Sequence, residues 1–145
     1  MKQSPELWHP APAGSRRHPI LASYDGSLPS RHALAYAAGL ARRADRWLLI
    51  VRIWRLGGLA PAPLTRAAQA ERIRQLRAEL AETDLTGLDV EIIVRTGDPA
   101  AELLKMAADR RADAIVIGTA RRFRYLAAVP ARLVRHACCP AVVVP

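Results

Sequence analysis

Few residues of this chain have types and spacing suited to chemistry. Asp25 ends the apolar run Pro19-Ile-Leu-Ala-Ser-Tyr24 and precedes Gly26. A carboxylate there can contact a ligand at a strand end, or accept N–H bonds within its own turn. Gly118 ends a second apolar run, and Arg121, Arg122 and Arg124 follow it. Their guanidinium groups could meet phosphate oxygens by side chain, or simply stand solvated as a basic loop. His136 lies near the end of a helical pattern, where a histidine more often satisfies backbone carbonyls than catalyses. Cys138 and Cys139 are adjacent, and a disulfide between neighbours is strained because bridged Cα atoms normally stand about 4.4–6.8 Å apart. They read as small buried or half-buried thiols ahead of a last strand. The sequence has no Ser/His/Asp arrangement at an elbow, no metal-ligand spacing and no Walker A lysine. The chain is therefore not expected to be an enzyme or to hold a metal.

These residues must be positioned by one domain, since 145 residues fit the usual size of about 100–150. The chain is 51% hydrophobic and 24% charged, as a globular protein is. No window of about 18 apolar residues could span a membrane. Met1 to Pro19 lacks the apolar stretch of a secretory signal, so a cytoplasmic location is expected. The net charge is +9, with 22 basic side chains against 13 acidic. That charge could attract an acidic partner. It could equally follow from a composition rich in arginine and alanine, whose codons are rich in G and C. Around the arginine loop only Phe123 and Tyr125 could stack on bases, so nucleic acid is not expected as a partner.

Residues 1–18 are polar and proline-rich without periodicity and read as a flexible arm, from which Leu7-Trp8 could dock elsewhere. Residues 19–145 then alternate short apolar runs with helical patterns. Strands are expected at 19–24, 47–54, 89–94, 112–117 and 141–144. Helices are expected at about 29–43, 65–83, from Pro99 onward with Leu103, Leu104 and Ala107 inward, and 129–137. Ser27 or Ser30 can cap the first helix, and Asp98 followed by Pro99 suits the start of the third. Gly57-Gly58, Pro61 and Pro63 mark a loop. Such alternation predicts an α/β fold, an open five-stranded parallel sheet of Rossmann-like type with helices on both faces.

Four segments, in order, resemble the universal stress protein family. They are Ile20-Leu-Ala-Ser-Tyr-Asp25-Gly-Ser27 with Ser30, Ala33 and Leu34; Gly97-Asp98-Pro99; Ala112-Asp-Ala-Ile-Val-Ile-Gly118-Thr119; and Val134-Arg-His-Ala-Cys-Cys-Pro140-Ala-Val-Val-Val144. The resemblance implies a regulatory or stress-response module, often a homodimer joined through the last strand, with protein partners it does not identify. Many members bind ATP through an Asp after the first strand and a loop G-x-x-G, nine residues, then G-[S/T]. Carried onto this chain, the nucleotide-contacting positions are Asp25, Val51, Gly118, Thr119, Arg121, Ala127 and Ala128. The last three depart from the pattern: arginine and alanine replace two glycines, and Ala128 replaces the hydroxyl. Five residues separate Arg121 from Ala127. Keeping the nine-residue spacer places the final pair at Ala131-Arg132 and restores neither glycine nor hydroxyl. Glycine allows the positive φ that turns successive N–H groups onto a phosphate. No obligate cofactor is expected, and ATP only at low affinity.

Overall fold

The computed structural model of the protein describes residues 9–10, 17–54, 65–119 and 128–145. In chain order the elements are β1 (His9–Pro10), β2 (Ile20–Ser23), α1 (Leu28–Ala44), β3 (Leu48–Trp54), α2 (Arg66–Leu80), β4 (Asp89–Thr96), α3 (Pro99–Arg110), β5 (Ala114–Gly118), α4 (Ala128–His136) and β6 (Ala141–Val144). The strands form one sheet of order β1-β4-β3-β2-β5-β6, and every pairing is parallel. The expected five strands are present. A sixth, β1, comes from the arm and pairs His9 with Asp89 and Pro10 with Val90. The arm's root is tied as well: Arg17 pairs with Asp45 at 2.6 Å, and its carbonyl accepts the Trp47 indole N–H at 2.7 Å. Leu7-Trp8 and the loop containing Gly57-Gly58, Pro61 and Pro63 lie outside the described residues.

Alternation along each strand divides the core into two layers. Ile20, Ala22, Leu48, Ile50, Val94 and Val116 face α1 and α2, where Leu34, Ala38, Leu76 and Leu80 meet them. Leu21, Leu49, Val51, Ile93, Ile115 and Ile117 face α3 and α4, where Leu103, Met106, Ala107 and Leu133 complete the second layer. Leu104 is only partly buried, and Met106 takes the inward place expected of it. Ile73 likewise packs at the margin of the first layer.

The helix starts follow their caps. Ser27, not Ser30, caps α1 by accepting the Ser30 N–H, and Asp98 caps α3 by accepting the Ala101 N–H at 3.0 Å. α2 stops at Leu80, short of Thr83, because Ala81 is its C-cap and the Thr83 N–H turns back to the Leu80 carbonyl. β5 begins at Ala114 rather than Ala112, since the Ala112 N–H still closes α3 onto Ala107. β4 continues to Thr96, paired with Trp54.

Candidate functional site

The chain runs from β2 outward to β3 and β4 on one side, and returns through α3 to β5 and β6 on the other. The order therefore reverses between β2 and β5, and ligands of open α/β sheets bind at the carboxyl ends of the strands flanking such a switch. Asp25 follows β2 and Gly118 ends β5, and both line one cleft of about 180 Å³ with Tyr24, Ser30, Ile53 and Val129. That is smaller than the roughly 300–1,000 Å³ usual for small-molecule sites. A larger cavity of about 580 Å³ lies at the opposite end of the sheet, beside Arg17, Arg42, Arg46, Trp47 and Asp89. Its cations are already paired: Arg17 with Asp45, Arg42 with Asp84, and Arg46 with Asp113.

The Asp25 turn is closed by its own side chains. The Asp25 carboxylate accepts the Ser27 N–H at 2.8 Å, and Gly26 takes the positive φ of 85° that the turn requires. The Ser30 hydroxyl donates to the Ser27 carbonyl at 2.9 Å and accepts the Asp25 N–H at 3.3 Å. Ser30 is only 4% exposed, the one buried polar residue among those described. Lost hydration acts to raise the Asp25 pKa. The Ser27 hydroxyl and N–H, Ser30 and the Arg52 charge more than offset it and hold the carboxyl below its ordinary value. Tyr24 beside it is raised, first by burial and then by Glu79.

Gly118 is needed by packing. A Cβ built on it would stand 2.4 Å from the Pro29 carbonyl carbon, 2.5 Å from its oxygen and 2.6 Å from the Ser30 nitrogen. The first turn of α1 rests directly on the end of β5. Thr119 is committed too, for its N–H donates to the Val144 carbonyl at 2.8 Å and extends the β5–β6 pairing. Its hydroxyl lies 3.5 Å from the same oxygen. Val51 is wholly buried in the α3/α4 layer, and the β3 residue that reaches the cleft is Ile53, two positions nearer the strand's end. Arg121, Arg122, Arg124 and Ala127 lie outside the described residues, and Ala128 opens α4. On that helix Arg132 reaches Asp98 at 2.8 Å, tying two helices that flank the cleft.

Pro99, Leu103, Ile53, Ser30 and Val129 also line the cleft and were not among the site residues expected from sequence, where Ser30, Pro99 and Leu103 stood only as cap, helix-start and core residues. Strand alternation carried to the sheet end would have found Ile53. His136 is exposed in the last turn of α4 and its ring makes no hydrogen bond among the described residues, so the side-chain contact to a carbonyl expected of it is not formed there. Cys138 is exposed rather than buried, because it sits in the bend between α4 and β6. Cys139 is half-buried, and burial together with the neighbouring Cys138 pushes its thiol up to about 11.

The family model described as the universal stress protein family matches residues 16–145. The chain belongs to the universal stress protein family. Among solved structures, a universal stress protein from Burkholderia pseudomallei is 31% identical at a TM-score of 0.66, covering 91% of this chain and 98% of that one. The protein UspA from Lactobacillus plantarum is 19% identical, with a TM-score of 0.71 and coverage of 91% and 100%. One from Archaeoglobus fulgidus, solved in complex with dAMP, is 22% identical, with a TM-score of 0.67 and coverage of 90% and 100%. No curated protein sequence matches. The four-motif resemblance and the α/β fold are thus both established. Among the described residues no helix is long and apolar enough to cross a membrane.

Proposed function

We propose that this universal stress protein domain is a non-catalytic regulatory module that works through protein contacts and needs no nucleotide to do so. The observation that carries this reading is how the chain uses the residues that follow β5. Gly118, the one family glycine retained, is required by the backbone of Pro29 and Ser30. The Thr119 N–H is spent on Val144. Beyond them the sequence offers Arg121, Ala127 and Ala128 where glycines that turn their N–H groups onto a phosphate, and a hydroxyl, would be needed. A hydrogen bond to a charged group contributes about 1.5–3 kcal/mol, so losing two or three of them weakens a micromolar site by at least about a hundredfold. A second copy is the first partner, through β6, whose Val143 remains 38% exposed at the sheet edge.

A second reading, weak adenine-nucleotide binding, draws support from the ionised Asp25 at the switch point and from relatives solved with dAMP and AMP. Isothermal titration calorimetry with Mg-ATP and with AMP at low salt separates the two. The expected result is a dissociation constant no tighter than about 1 mM. A micromolar constant that Arg121→Ala and Arg124→Ala abolish would replace the first reading with the second.

A further inference from the structure

We propose that Cys138 and Cys139 form a two-thiol site for trivalent arsenic, with one sulfur from each residue and the third valence carried by the arsenical itself. The site lies where α4 gives way to β6, at the amino end of the sheet and away from the cleft beside Asp25 and Gly118. Neighbouring side chains of an extended chain point to opposite sides. Here the chain bends at both cysteines, and their thiols come within hydrogen-bonding reach of each other. The bend is held at both ends. The Ala137 N–H closes α4 onto the Leu133 carbonyl at 2.9 Å, and the Pro140 carbonyl accepts the Ile115 N–H at 2.9 Å just before Ala141 opens β6. Cys139 is half-buried against the α3/α4 layer, whereas Cys138 is exposed. A reagent can therefore reach one sulfur from solvent and find the second beside it.

Geometry selects what the pair can hold. The peptide between the two residues is trans, so their Cα atoms stand about 3.8 Å apart, against about 4.4–6.8 Å in ordinary disulfides. A direct S–S bond of about 2.05 Å is strained there. One atom set between the sulfurs lengthens the bridge and removes that demand. Among the described residues no group of three or more His, Cys, Asp or Glu could hold a metal ion, so a centre that draws three or four ligands from protein, as zinc does, does not fit. The occupant must be soft enough to prefer sulfur and must need only two thiols. Trivalent arsenic meets both conditions, and its bent S–As–S angle suits sulfurs that stand side by side.

The reaction changes no oxidation state. With phenylarsine oxide, the exposed Cys138 thiol adds across As=O, so that its S–H bond breaks, an S–As bond forms and the proton leaves an As–OH group. Cys139 then forms the second S–As bond and gives its proton to that hydroxyl, which departs as water. The Cys139 thiol carries the proton this step requires, because burial and Cys138 keep it undissociated at neutral pH. The second step is intramolecular, and the fixed bend supplies its effective concentration.

The test uses the full reduced chain with phenylarsine oxide as the probe. Native mass spectrometry should show one arsenical per chain with loss of one water. Cys138→Ser and Cys139→Ser should each weaken binding by at least about a hundredfold, the loss expected when a second linked contact is removed. On the parent, which needs no variant to fold, the dithiol dithiothreitol should strip the adduct, and the monothiol glutathione at equal concentration should not. Urea unfolding reads the part played by the fold. A bend that holds the sulfurs together binds the arsenical more tightly in the native chain than in the unfolded one, so saturating arsenical should raise the unfolding midpoint. The proposal is overturned if either single variant binds within about tenfold of the parent, if glutathione removes the adduct as readily as dithiothreitol, or if the midpoint does not rise.

Discussion

Replacing Gly118 with alanine separates a glycine kept for ligand from one kept for packing. The added methyl would lie 2.4–2.6 Å from three backbone atoms of Pro29 and Ser30, well inside any permitted contact. No flexible side chain can yield, so relief requires the first turn of α1 to lift from β5, taking the Ser30 hydrogen bonds with it. Overpacking usually costs about 1–3 kcal/mol, and a rigid backbone neighbour places this site at the top of that range, about 3 kcal/mol. With a urea m-value near 2 kcal/mol/M, the unfolding midpoint falls by about 1.5 M. Gly39→Ala is the control, because its methyl meets only the mobile end of Arg43 at 3.3 Å. In mid-helix that change should stabilise by about 0.5–1 kcal/mol. Urea melts without nucleotide decide the matter. If Gly118→Ala stays within about 0.5 kcal/mol of the parent, the surface-mutation scale, the packing argument is wrong and Gly118 answers to something else.

Two further outcomes follow from the titrating groups. Because folding lowers the Asp25 pKa from 3.8, its contribution to stability is present above about pH 4 and is lost as pH falls through the folded value. Asp25→Asn should therefore melt below the parent at pH 7, and the gap should narrow as the pH falls below about 4; a gap that stays constant as the pH falls would refute the assignment. At pH 8 the Cys139 thiol, raised to about 11, should stay protonated and slow to react with a disulfide reagent, while exposed Cys138 reacts first. Cys138→Ser should then remove the fast phase of labelling in native protein, and a fast phase that survives would show Cys139 to be the reactive thiol.

What the sequence determined by itself was whatever depends on neighbours along the chain. Strand and helix periods, the Asp98-Pro99 helix start and the Asp25 turn are local, and so are the motifs that place the chain in its family. They were legible because a few consecutive residues supply both partners of each interaction. The structure alone decided relations between distant segments. Gly118 owes its identity to Pro29 and Ser30, far away in sequence, and no reading of residues 118–128 could show that. Val51 and Ile53 are equally apolar and alternation puts them on one face, but the depth at which the sheet ends, which the fold sets, puts one in the core and the other at the cleft. The arm's polar composition gave no sign of β1, because the pairing uses backbone groups that every sequence carries and depends on an unfilled edge at Asp89 and Val90. Local chemistry chooses the elements; which backbone stands beside which is set by burial of both sheet faces at once, and that is a property of the whole fold.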